Sequence, residues 1–194
     1  MIPLRTQIKF FLANPEGVDI AAFTPVFQRW IQQKALKGQL IDVADYRHVF
    51  EGPGIVLIGY DSDYFVESRD GRIGLLYTRK RQLDADVQAQ LRASFHLALD
   101  ACQLLEADPA FTPKLKFRAD EIEIRFPDRL RLPNQPESFD LVKDDVAAVL
   151  SELYGTDTVN FAPVSHDPRY LFTIAVQNSG TSGIGELIQI AKEV

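Results

Sequence analysis

Asp45, Tyr46, Arg47 and His48 stand consecutively, and Glu51 follows just ahead of Gly52-Pro53-Gly54. A histidine flanked by carboxylates is common apparatus for general acid–base chemistry, because its ordinary pKa lies near operating pH. A second histidine-bearing segment aligns with this one when residues 42–59 are set against 157–174 without a gap. Asp42 then meets Asp157, Asp45 meets Asn160, Tyr46 meets Phe161, Val49 meets Val164 and Pro53 meets Pro168. Two halves related by an approximate two-fold axis would bring these segments to one cleft. Asp45, His48 and His166 would supply the acid–base groups there, and Tyr46, Glu51 and Asn160 the ligand contacts. The competing reading makes all of them surface loop residues with no shared role, since sequence supplies no mutual geometry.

Other constellations reduce to structure. Asp61, Asp63 and Asp70-Gly71 hint at calcium, but the ligand ladder and terminal glutamate of a calcium loop are missing. Gly52-Pro53-Gly54 precedes a strand, whereas phosphate-binding glycine loops follow one, so it reads as a turn. The segment 179–185, SGTSGIG, has the better polarity, and its amides could cradle an anion. It lacks the ending of a phosphate loop and the spacing of a dinucleotide fingerprint, and a connector is the plainer reading. Ser165-His166-Asp167 is contiguous, while catalytic triads are spatial. Cys102 is the only cysteine, which leaves no disulfide framework or thiolate cluster. It lies on the stripe Val87, Leu91, Phe95, Ala98, Cys102, Leu105, the buried face of a helix, where a thiol is inert. His96 falls off that stripe and reads as solvated. No metal site and no cofactor follow from these residues.

The surrounding elements have their own periodicities. Residues 8–13 form a buried strand, broken by Asn14-Pro15-Glu16-Gly17. Thr24 as N-cap and Pro25 at the first helical position start a helix facing inward through Val26, Phe27, Trp30 and Ile31, with Gly38 closing it. Residues 39–46 suit a second strand. Residues 52–68 and 72–81 flank Asp70-Gly71, a two-residue hairpin signal that pairs Phe65 with Leu76, Tyr64 with Tyr77, Asp63 with Thr78 and Asp61 with Lys80. The acid- and tyrosine-rich stretch then becomes the polar face and tip of a hairpin. After the Cys102 helix, residues 115–133 alternate with period two as an antiparallel meander turning at Pro127-Asp128. Phe139, Val142, Val146, Val149, Leu150 and Leu153 mark a helix closed by Gly155. Two strands and a short helix complete the chain.

Strand–helix–strand–strand–helix thus occurs twice, over halves of approximately 1–108 and 113–194 in one compact domain, 1–194. The arm 72–81 is inserted in the first half and is expected to extend the sheet at one edge. The expected class is α+β, a mostly antiparallel sheet from two related halves with helices on one face.

The net charge of −6 and a pI near 5.1 repel nucleic acid and anionic membrane. No stretch reaches the roughly 20 apolar residues of a spanning helix, and the N-terminal apolar run is too short for a secretory signal. Cytoplasm is the expected compartment. Two functions fit. One is a non-catalytic binding or adaptor protein that self-associates and engages an unknown protein or small-molecule partner. The other is a small-molecule enzyme, hydrolase or lyase in type, using Asp45, His48 and His166.

Overall fold

A computed structural model describes residues 5–81, 85–155, 159–180 and 183–193. Strand β1 (Gln7–Leu12) sends Ile8, Phe10 and Leu12 into the core. A single 3-10 turn, Ile20–Ala22, follows, capped by the Asp19 carboxylate accepting from the Ala21 amide at 2.9 Å. It runs directly into α1 (Phe23–Gln33). The expected Thr24 cap is therefore displaced: Ala22 holds the cap position, and Pro25 still lies in the first turn, where no amide hydrogen is needed. At the other end Lys34, not Gly38, takes the left-handed capping conformation with φ 52°.

Strands β2 (Leu40–Tyr46), β3 (Gly54–Gly59), β4 (Ser62–Glu67) and β5 (Gly74–Arg79) come next. The expected strand over residues 52–68 is thus two strands, turned at Tyr60-Asp61. Helix α2 (Val87–Ala107), β6 (Phe117–Phe126), α3 (Pro136–Tyr154), β7 (Asn160–Pro163), β8 (Phe172–Gln177) and α4 (Ile184–Glu193) complete the order. The eight strands form one antiparallel sheet in the order β2-β3-β4-β5-β1-β6-β8-β7. The α+β class is as the periodicities require.

The four α-helices among the described residues cover the same face. Phe27, Phe95, Val146 and Leu187 share one core with Phe10, Leu57, Leu75, Ile124 and Ile174, while the alternate strand residues Phe11, Val56 and Leu76 lie outside it. Phe10 and Phe95 meet edge to face at 6.5 Å, fixing α2 over β1. The helix-free face still buries Phe11, Val56 and Leu76, with the Arg72 guanidinium lying 3.7 Å over the Phe11 ring.

Phe65–Leu76, Tyr64–Tyr77 and Asp63–Thr78 pair in the expected register. The tip is different: a 3-10 turn, Arg69–Gly71, replaces the two-residue turn, although Gly71 has the left-handed φ of 71°. The larger correction concerns β5. It does not extend an edge but lies between β4 and β1, because β1 pairs with it on one side and with β6 on the other. Tyr64 and Tyr77 are consequently wholly buried on the helix-covered face, not on a polar one.

Residues 115–133 do not form a meander. A single strand, β6, carries the alternation, and its phase changes between Ala119 and Ile122 because the pairing with β1 slips there in a bulge. Past Phe126 the chain makes turns, with the Leu132 amide donating to the Asp128 carbonyl at 2.8 Å. Leu132 is buried by this, and Leu130, its neighbour in the apparent pattern, is 97% exposed.

The observed order does not establish a duplication. Pro53 and Pro168 both sit in connections between an edge strand and its neighbour, β2–β3 and β7–β8. However, β8 pairs directly with β6, whereas β3 is separated from β1 by β4 and β5. No helix among the described residues is long and apolar enough to cross a membrane.

Candidate functional site

Asp45 is the last residue but one of β2, next to the β2–β3 loop. Its carboxylate accepts from the Arg47 amide at 3.0 Å and from the Arg47 guanidinium at 2.6 and 3.0 Å. The guanidinium contact first, and then the amide, hold the Asp45 pKa down to about 2. Asp45 is therefore held in its charged form by an exposed pair with Arg47. His48 stacks on Tyr46 with ring centroids 6.4 Å apart.

Two linked turns carry the loop, Val49 amide to Tyr46 carbonyl and Gly52 amide to Val49 carbonyl, both at 3.0 Å. Glu51 occupies the third position of the second turn with φ 51°, a place that favours glycine or asparagine. This strained, hydrogen-bonded frame presents Phe50 at 91% exposure, with Val49 and Tyr46 exposed beside it.

The companion residues are elsewhere. Asn160 begins β7 and His166 lies in the β7–β8 connection, on the opposite edge of the sheet with six strands between. At about 4.8 Å per strand that is roughly 34 Å along the sheet. The shared cleft does not form. Strand directions alternate, so the two connections also lie at opposite ends of the strands. A two-fold axis through a β1–β6 centre would drive such loops apart rather than together. Asp45, Tyr46, His48 and Glu51 share one corner; Asn160 and His166 do not reach it. The contiguous Ser165-His166-Asp167 is held by Asn134, whose side-chain amide donates to the Ser165 hydroxyl at 3.3 Å and the Asp167 carbonyl at 2.8 Å. Asp167 itself pairs with Arg169 at 2.6 Å.

The glycine segment 179–185 lies partly outside the described residues, which resume at Gly183. Gly183 and Gly185 help line a cavity of about 660 Å³ with Lys116 and Arg118. Those cations are already matched, Lys116 with Glu106 at 3.5 Å and Arg118 with Asp120 and Glu121 at 2.7 Å each. Asp63, from the calcium-like stretch, accepts from the Gly59 amide at 3.1 Å and pairs with Lys80 at 2.8 Å. Among the described residues no group of three or more histidine, cysteine, aspartate or glutamate side chains could hold a metal.

Sequence reasoning missed a second cavity, of about 560 Å³, between α2, the ends of β4 and β5, and the α1–β2 connection. Ala93, His96, Leu97 and Asp100 line it from one side of α2, and Ser62 and Arg79 form a cross-strand pair in its wall. Asp61 and Lys37 stand at its rim. The one legible signal was His96 and Asp100 at i,i+4, which share a helix face. The strand order that brings β4 and β5 under that face is non-local.

No protein-family model, curated protein or solved structure matches the chain. Functional inference rests on its own geometry.

Proposed function

We propose that this chain is a non-catalytic, cytoplasmic binding or adaptor protein that docks a partner protein on the β2–β3 loop. One observation carries the reading: Phe50 is 91% exposed at the tip of a loop stiffened by two turn hydrogen bonds and a left-handed Glu51. An exposed aromatic on a pre-ordered loop is the usual makeup of a binding hot spot, because little ordering entropy remains to be lost on docking. Local strain of about 1–3 kcal/mol at a non-glycine left-handed residue is the kind of feature that concentrates at functional loops.

The partner's chemistry follows from the rim. Glu51 is exposed beside Val49 and Phe50, the nearby Asp45 and Arg47 charges answer each other, and the whole chain carries −6. An apolar pocket with a basic border complements this surface. A second copy, equally acidic, complements it less well. The enzyme alternative called for Asp45, His48 and His166 in one cleft, and His166 stands at the far edge of the sheet from the other two.

The test is a photo-crosslinking amino acid placed at position 50 of the full chain in its native cell. The expected result is one dominant heterologous adduct, absent when the probe sits at exposed Leu141 on α3. The captured protein, purified, should lose about 2 kcal/mol or more of affinity when Phe50→Ala is introduced. Adducts only between copies of this chain would replace the adaptor reading with self-association. Equal labelling from positions 50 and 141 would end both.

A further inference from the structure

Phe126 ends β6 directly opposite Phe172, the first residue of β8, and their rings stack at 5.5 Å. Residues 127–135, after β6, and residues 164–171, before β8, therefore leave the sheet side by side. Hydrogen bonds tie the two loops together. The Arg129 guanidinium donates to the Pro168 carbonyl at 2.7 Å, and the Asn134 side-chain amide to the Ser165 hydroxyl at 3.3 Å and the Asp167 carbonyl at 2.8 Å. Each loop is also folded on itself: the Arg131 and Leu132 amides donate to the Asp128 carbonyl, and the Tyr170 amide to the Asp167 carbonyl. On this frame stand Leu130 at 97% exposure, Tyr170 at 63% and Val164 at 56%. Apolar groups gathered on a pre-ordered surface mark a contact site, because covering them sacrifices little ordering entropy.

We propose that this corner is the contact between two copies of the chain, related by a two-fold axis. Such a contact repeats every pairing, residue i on j and j on i. The corner holds both members of two pairings. Leu130 offers an apolar side chain to the Tyr170 ring of the second copy, and Asp167 a carboxylate to its Arg169. Within one copy Asp167 and Arg169 already pair at 2.6 Å, through a guanidinium 81% exposed. Exposed ion pairs contribute little within a chain, so exchanging them across the axis is cheap. Charge favours a second copy over a strongly charged partner. The two loops carry Arg129, Arg131 and Arg169 against Asp128 and Asp167, three less two, a local +1 on a chain of −6. Two copies that repel through their overall charge thus meet here on a nearly neutral surface. β7 ends in Pro163 at this edge, so the contact runs through loop tips rather than a continued sheet. The tips cover less than the roughly 800 Å² per partner of a standard interface, and the dimer should dissociate on dilution. The Phe50 loop stands at the opposite edge and the opposite strand end and stays free in the pair, so its docking role and this dimer stand or fall separately.

The test is sedimentation velocity of the full chain over about a hundredfold range of concentration. The wild type should pass from monomer to dimer. Leu130→Asp should weaken the dimer at least about tenfold and leave the melting temperature of the dilute protein unchanged, since the side chain packs on nothing in the monomer. The axis has its own control. Arg169→Asp alone and Asp167→Arg alone each set like charges face to face and should weaken the dimer. An equimolar mixture of the two variants should restore a heterodimer, because each chain then supplies the charge that the other lacks. A wild type that stays monomeric throughout overturns the proposal, and so does a dimer that Leu130→Asp leaves intact. A dimer lost in Leu130→Asp but not restored in the mixture overturns the two-fold arrangement.

Discussion

The Lys9 ammonium and the Glu67 carboxylate meet at 2.7 Å on the sheet face that carries no helix, with their side chains 1% and 4% exposed. Lys9 also donates to the Arg72 carbonyl at 3.0 Å, and Arg125 approaches Glu67 at 3.5 Å while bonding Glu123 at 2.6 Å. Lys9, Glu67 and the Glu123–Arg125 pair come from β1, β4 and β6, so the network ties strands that are distant in sequence and are not all adjacent in the sheet. Breaking such a pair on one side leaves an uncompensated buried charge.

Glu67→Gln should therefore cost about 3–5 kcal/mol in urea unfolding. Replacing both partners, Lys9→Met with Glu67→Leu, should recover a large part of that loss, because two apolar groups need no solvation. A double variant as unstable as the single one would mean that Arg125, left without Glu67, dominates the cluster.

The same carboxylate sets an acid dependence. Burial alone would raise the Glu67 pKa, but Lys9, the Arg69 amide and Arg125 together hold it below its ordinary 4.5. A depressed folded pKa contributes stability that is fully present above the unfolded value and is lost as pH falls through the folded one. Stability should thus decline below about pH 4.5, and the decline should be shallower in the Lys9→Met, Glu67→Leu variant. Burial lowers the Lys9 pKa from its ordinary 10.5, and Glu67 opposes the shift. Identical acid slopes in the two proteins would assign the loss to other carboxylates.

Two glycines separate conformational cost from steric cost. Gly71 has φ 71° with open space where a Cβ would stand, so Gly71→Ala should cost about 1 kcal/mol, the left-handed penalty alone. At Gly54 φ is 66° and a Cβ would fall 2.0 Å from the Val66 carbonyl oxygen, across the β3–β4 pairing. Gly54→Ala should be far more damaging, by about 3 kcal/mol or more, since the backbones must separate. Equal melting temperatures for the two variants would contradict this account.

Local periodicity carried most of the elements, and long-range order accounts for what it could not reach. The α2 stripe from Val87 to Leu105 and the Tyr64–Tyr77 register were legible because each depends on spacing along a short stretch. The burial of those tyrosines was not, because it depends on β1 entering the sheet beside β5. Hydrophobic alternation persists across a bulge and past a strand end, which is why Leu130 looked like core and is solvent. The corner formed by Asp45, His48 and Glu51 was readable as a cluster. Its supposed union with His166 required a tertiary arrangement that the strand order reverses. The cavity beneath α2 draws on three separate regions, and only the His96–Asp100 spacing hinted at it.

Cys102 is wholly buried in the core, and burial drives its thiol pKa well up. Thiol reagent should react slowly with the folded protein and rapidly in denaturant, because the thiolate is the reactive form and is suppressed inside. Rapid labelling under native conditions would show that α2 opens locally far more often than its packing implies.

Among the described residues the sheet has two free edges, β2 and β7, and both are blunted. β7 is four residues long and ends in Pro163, which has no amide hydrogen to offer. β2 is seven residues long, and there the Val43 amide donates to the Asp42 carboxylate at 2.8 Å rather than standing open. Asp42 thus caps one edge amide and adds a charge that resists a docking strand. Asp42→Val removes both and leaves an uninterrupted apolar run from Leu40 to Ala44. The expected outcome is concentration-dependent association beyond that of the wild type, measured by sedimentation velocity. Asp42→Asn retains a capping oxygen without the charge, so it should fall between them. Should Asp42→Val sediment as the wild type at every concentration, the edge is protected by something other than this side chain, and the exposed Ile41 and Tyr46 beside it become the groups to examine.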